Sequence, residues 1–147
     1  MTRTMNRPPA STAGKVAASL FLVVAAFQTA LAAGAPWGAA ALGGSNPGVL
    51  PDTSRVGAAV QGVIYLLLAG VAGRPWARPT LRRRALYGMA ALMAVGAVMN
   101  LATPSLVERM LWTPVTVALV LALWRAARHD SLAAGLRSQV GYASRTV

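Results

Sequence analysis

Residues 56–73 read VGAAVQGVIYLLLAGVAG, eighteen positions with no charge and one amide, Gln61. A helix rises 1.5 Å per residue, so a run of this length nearly crosses the ~30 Å hydrocarbon core of a bilayer. Three more blocks share its character: 16–33 (VAASLFLVVAAFQTALAA), 85–102 (ALYGMAALMAVGAVMNLA) and 105–123 (SLVERMLWTPVTVALVLAL). None alternates apolar with polar residues as a barrel strand does, so helices are left as the spanning element. The expected fold is all-α, an integral membrane four-helix bundle. It comprises an N-terminal arm (1–14), a transmembrane domain (15–127) with spans near 15–33, 56–73, 85–102 and 105–124, and a tail (128–147). The tail is polar, and although Leu132, Leu136 and Val140 share a helical face, it reads as mobile or loosely laid on an anionic membrane surface.

Composition agrees with this. The 147-residue chain is 56% hydrophobic and 12% charged, against about 25% charged in soluble domains. It has no cysteine, which excludes disulfide chemistry, thiol relays and cysteine-ligated metals. The single histidine, His129, lies past the last block. No cofactor and no metal is expected. The net charge of +11 does not indicate nucleic acid as a partner, because the basic residues sit at the ends of apolar segments, where topology accounts for them.

Those charges are distributed unevenly. The arm carries Arg3, Arg7 and Lys15, the middle connection Arg74, Arg78, Arg82, Arg83 and Arg84, and the tail Arg125, Arg128, Arg137 and Arg145. The first connection has only Arg55, and the third only Arg109. Basic residues stay on the cytoplasmic side, so both termini and the middle connection are expected inside, in a multi-pass plasma-membrane protein. The first block also resembles a signal peptide ending at Ala30-Leu31-Ala32, but its full spanning length favours retention. Trp37 and Trp112 should anchor at the outer interface, and Trp76 and Trp124 at the inner one.

Several local signals concern helix ends and packing. Either Thr103 with Pro104, or Ser105 with Glu108 as a capping box, opens the fourth span. Pro114 should interrupt its hydrogen bonding, as an ordinary membrane proline or as part of a cavity wall. Ala58/Gly62, Ala69/Gly73 and Ala90/Ala94 have the spacing of close helix contacts.

The polar residues inside the spans gather toward the outer side: Gln28, Gln61 with Tyr65 a turn deeper, Asn100, and Glu108 with Arg109, Trp112 and Thr113. Asp52 and Arg55 flank the start of the second span. Amides facing lipid lack partners, so an inward orientation is expected. Gln28, Gln61, Tyr65, Asn100, Glu108 and Trp112 are therefore the candidate ligand-binding residues, with Glu108 as a possible proton carrier or general acid. The alternative is interhelical hydrogen bonding with Glu108 as a helix cap and Arg109 snorkelling outward. The roughly twenty-residue first connection, 35–54, is either a lid over this cluster or a passive loop.

Gly34-Ala35-Pro36-Trp37-Gly38, Gly43-Gly44, Leu50-Pro51 and Arg55, followed by Asn100, Ser105, Glu108-Arg109, Trp112 and Pro114, resemble signatures of an uncharacterised small four-span membrane protein family of actinobacteria. The resemblance covers about 15–127 and implies a four-span fold, with no activity, substrate or cofactor attached. Small multidrug transporters carry a carboxylate where this chain has Gln28, and quinone-reducing disulfide-forming enzymes need cysteines. Three functions remain open. One is binding or moving a small or lipophilic molecule through an outer-leaflet polar cavity. Another is an accessory subunit, as a homo-oligomer or with a membrane protein partner. The last is a lipid-modifying enzyme using Glu108, ranked lowest because Glu108 has no second acid beside it.

Overall fold

The computed structural model describes residues 11–74 and 79–143. Arg3, Arg7, Trp76, Arg78 and Arg145, used above for orientation and anchoring, lie outside them. Four helices make up the fold: α1 (Thr12–Ala32), α2 (Asp52–Gly73), α3 (Pro79–Ala102) and α4 (Leu106–Ala143). Each contains a stretch long and apolar enough to cross a membrane. Their outer faces are apolar as well. Val60, Val63, Ile64 and Leu67 of α2 and Leu92, Val95, Val98 and Met99 of α3 are exposed, a surface suited to lipid and not to water. The chain is a multi-pass membrane protein.

The helix ends follow from local chemistry. Ser11 caps α1 by accepting the Gly14 N–H at 3.2 Å. At the other end Gly34 takes φ 97°. Gly34 N–H then reaches Leu31 O and Ala35 N–H reaches Ala30 O, a Schellman closure that a side chain at Gly34 would strain. Proline opens α3, where no backbone donor is required. The fourth helix uses the second of its two expected starts: Ser105 Oγ accepts the Glu108 N–H at 3.2 Å. That is half a capping box, because the Glu108 carboxylate bonds elsewhere.

A recurring device joins each helix to the next. The fourth residue of α2, Arg55, donates to Ala32 O at the end of α1 (3.0 Å). In α3 the fourth residue, Arg82, donates to Ala72 O (2.9 Å) and Arg74 O (3.3 Å) at the end of α2. In α4 the fourth residue, Arg109, donates to Thr103 O just past α3 (2.7 Å). Helix C-termini carry unpaired carbonyls and partial negative charge, which a guanidinium meets on both counts. Arg82 is only 4% exposed, so this member of the basic middle connection is a buried structural group as well as a topology signal.

Packing runs in the order α2–α1–α4–α3. The pairs α1/α2 and α3/α4 are tight antiparallel hairpins, α1 lies against α4, and α2 and α3 scarcely touch. Small residues set the first hairpin. Ala58, Gly62, Ala69 and Ala72 form the buried face of α2. A methyl group on Gly73 would lie 2.9 Å from Ala18 Cβ, and one on Gly14 would lie 2.8 Å from Ala72 O. Two expected small-residue pairs, Ala58/Gly62 and Ala69/Gly73, therefore do pack. The third does not, because Ala90 is buried but Ala94 faces outward.

Two features of α4 bear on the readings above. Pro114 is exposed, so it forms no part of an internal wall, and α4 continues through it. Past residue 128, α4 stays helical to Ala143. At ~57 Å it is nearly twice the hydrocarbon thickness. Leu132 is exposed there; the side chains of Leu136 and Val140 lie outside the description.

Candidate functional site

A cavity of about 230 Å³ lies in the half of the bundle nearest the first connection. It separates a large core cluster containing Phe21, Met93 and Leu119 from a smaller one made by Leu31, Ala41, Leu50 and Ala58. All six sequence-nominated residues, Gln28, Gln61, Tyr65, Asn100, Glu108 and Trp112, line it. They come from all four helices, so helix rotation brings the polar cluster together.

The individual geometries differ. Gln28 Nε2 donates to Gln61 Oε1 at 3.1 Å, joining α1 to α2. Tyr65 lies beside Phe21 with ring centroids 6.1 Å apart. Asn100 Nδ2 reaches Thr116 Oγ1 at only 3.5 Å, the outer limit for a hydrogen bond. Thr116 itself donates to Trp112 O (2.8 Å) and Thr113 O (3.0 Å).

Glu108 holds the connection. Its Oε2 accepts from Gly43 N–H and from Thr103 Oγ1, each at 2.8 Å. Arg109 turns away to Thr103 O, so the adjacent residues in sequence form no pair. Two further bonds join the N-terminal turns of α4 to the same connection: Ser105 Oγ to Ala39 O (2.6 Å) and Trp112 Nε1 to Ala40 O (2.8 Å). Residues 39–43 are thus clamped to α4 by three hydrogen bonds. The connection covers the cavity as a docked lid, contributing Ala40, Ala41, Leu42 and Leu50 to its lining.

Aromatic contacts reinforce this lid. Phe27 of α1 stacks on Trp37 (6.0 Å, 13°) and meets Trp112 edge-on (4.6 Å, 66°). Trp37 remains half exposed, as an interface anchor would. Trp112 is different, since its indole N–H is committed to the lid. Trp124 at the opposite end is also half exposed and meets Tyr87 edge-on at 5.3 Å.

Sequence reading missed Ser54 and Thr116 as polar lining residues, and Ser105 and Gly43 as partners of the clamp. A lone Ser or Thr near a span carries no hydropathy signal, and Gly43 acts through its backbone. Trp112→Phe keeps the ring against Phe27 and removes the bond to Ala40 O, a loss of about 1 kcal/mol. Amide exchange across 38–48 should quicken several-fold in that variant while exchange in α2 and α3 stays unchanged; equal protection in both proteins would refute the clamp.

No family model, no curated protein and no solved structure matches this chain, so the actinobacterial resemblance is carried by its short signatures alone.

Proposed function

We propose that this protein binds, and in doing so holds or moves, a small or lipophilic molecule in the lidded cavity, with both termini in the cytoplasm and the lid outside. The observation that carries the reading is the convergence of six polar or aromatic side chains from four helices on one cavity. Gln28, Asn100 and Glu108 are partly shielded and Gln61 is exposed, and polar groups within spans favour polar partners over lipid. Gln28, Gln61, Tyr65, Asn100 and Glu108 supply polar contacts, and Trp112 a wall.

Blocking the space tests this. Ala58 is buried in the cavity wall, while the next residue, Ala59, faces outward. Ala58→Phe should abolish co-purification of the bound molecule, read by mass spectrometry of the mildly extracted protein, and Ala59→Phe should preserve it. A molecule retained equally by both variants would place the site elsewhere.

The absence of cysteine makes orientation simple to measure. Ser45→Cys, in the exposed lid, should react with an impermeant maleimide on intact cells. Thr80→Cys, exposed at the start of α3, should react only after permeabilisation. The opposite pattern would invert the topology. Retention of α1 belongs to the same reading, because α1 is the helix that both α2 and α4 pack against.

The accessory-subunit reading is favoured by one observation, the sparse contact between α2 and α3, helices that also carry the exposed Gly70 and Gly88 with open space around them. A stoichiometric protein partner surviving in Ala58→Phe, with no bound molecule in wild type, would select it. No second carboxylate lines the cavity to support a lipid-modifying reaction.

A further inference from the structure

The cavity's unused hydrogen-bonding atoms define the chemistry of an occupant. Glu108 Oε2 is taken by two donors, whereas its Oε1 has no partner among the described residues and is not sealed off. The Gln28–Gln61 bond leaves one amide group free on each residue, and the Tyr65 hydroxyl has no partner among the described residues. Among the described residues, no lysine, arginine or histidine lines the space. The nearby Arg55 is held by Ala32 O and the Asp52 carboxylate, and Arg109 reaches Thr103 O while its Nε is buried without a partner among the described residues; neither lines the cavity. In a chain of net charge +11, the one charged side chain facing this cavity is thus an acid.

Size and shape add a second constraint. About 230 Å³ is below the roughly 300–1,000 Å³ that encloses a drug-sized ligand. The lid closes the end, and α1 against α4 closes the back, so the remaining opening lies between α2 and α3, which flank the cavity and scarcely touch. Residues exposed on α2 and α3, such as Ile64 and Val95, are apolar. A head group and its first few carbons fit inside, with the rest of a chain passing between the helices into the bilayer.

We infer that the occupant is an amphiphile with a neutral or cationic hydrogen-bond-donating head, an alcohol or an amine, which enters from the membrane between α2 and α3, and that anionic heads are rejected. This rests on the cavity being a binding site. A hydroxyl or ammonium donates to Glu108 Oε1 and to Gln28 Oε1, the amide oxygen that the Gln28–Gln61 bond leaves free. A sulfonate or phosphate brings a second negative charge to a site with no cation, where the low dielectric strengthens the repulsion.

The test uses the full-length protein in phosphatidylcholine nanodiscs with three C12 probes carrying the same mid-chain diazirine: an amine, an alcohol and a sulfonate. After irradiation, peptide mass spectrometry locates the labels, and an excess of the unlabelled amphiphile defines the saturable fraction. Amine and alcohol should label peptides containing Gln61 or Asn100 at least about tenfold more strongly than the sulfonate. Glu108→Gln should narrow the gap between amine and sulfonate. Saturable labelling by the sulfonate equal to that by the amine would overturn the head-group class and leave the cavity as a binding site. Absence of saturable labelling at those peptides by all three probes would remove the cavity reading itself.

Discussion

Gly38→Ala is expected to detach the lid while leaving the four helices folded. A methyl group on Gly38 would overlap Asn46 O and come within 2.8 Å of Gly48 O. Both obstacles are backbone atoms, so no side-chain rotation relieves them. Gly38 N–H also donates to Gly48 O at 3.0 Å, closing the loop on itself. Accommodating the methyl means giving up that closure, on the order of 1–3 kcal/mol by comparison with overpacked sites. The bonds from Ser105, Glu108 and Trp112 to residues 39–43 depend on the same loop path. Exchange and protease cleavage over 38–50 should rise sharply, retention of a cavity-bound molecule should fall, and the Tm of the helical domain should change little. Gly48→Ala is the control, because a methyl there meets nothing within 4 Å. If Gly38→Ala retained wild-type protection across 38–50, the loop closure described here would be wrong.

The second large effect is expected at the opposite end of the bundle. Arg82→Leu removes the group that satisfies Ala72 O and Arg74 O. Hydrogen bonds from charged donors contribute ~1.5–3 kcal/mol each, so a loss of about 3 kcal/mol or more is expected, read as a clear fall in Tm in detergent. Arg82→Lys should recover only part of it, since one ammonium does not reproduce a planar fork spanning two carbonyls. Arg84→Leu, at an exposed position in the same basic run, should leave stability unchanged. Neither substitution should invert the topology, because other arginines remain in the connection. A wild-type Tm for Arg82→Leu would show that those carbonyls find other partners.

Reading the chain by hydropathy located the four helices within a few residues, with two displacements that have the same cause. The helix α3 starts at Pro79, six residues before the apolar block at 85, and α4 runs to Ala143, well past the block ending at 123. Apolar content marks where lipid begins, whereas backbone hydrogen bonding continues through Arg82–Arg84 until a cap or proline stops it. The polar cluster was legible for a related reason. Amides such as Gln28 and Gln61 are rare in spans and seek polar partners, here each other, so their depth along the sequence already suggested a common layer.

Their roles within that layer were not legible. Glu108 reads as a capping acid or a free one, and it instead accepts the N–H of Gly43, 65 positions away. Arg55 and Arg109 read as stray exceptions to the charge bias. They are members of a series, each reaching back from the fourth residue of a helix to the carbonyls ending the helix before it. Gly43, Ser105, Glu108 and Trp112 are the residues that make the lid clamp.

By itself the sequence determined that this chain carries four membrane spans, because segments of about eighteen predominantly apolar residues have one favourable solvent whatever the rest of the chain does. It also determined that α1 and α2 can approach closely, since that needs only glycine and alanine at helical spacing. Only the tertiary structure decided that the polar side chains surround one cavity, that the first connection is a lid, and that α2 and α3 leave a side open. Those outcomes depend on helix rotation and loop path, which are set by hydrogen bonds between residues far apart in the chain and leave no periodic signal in it.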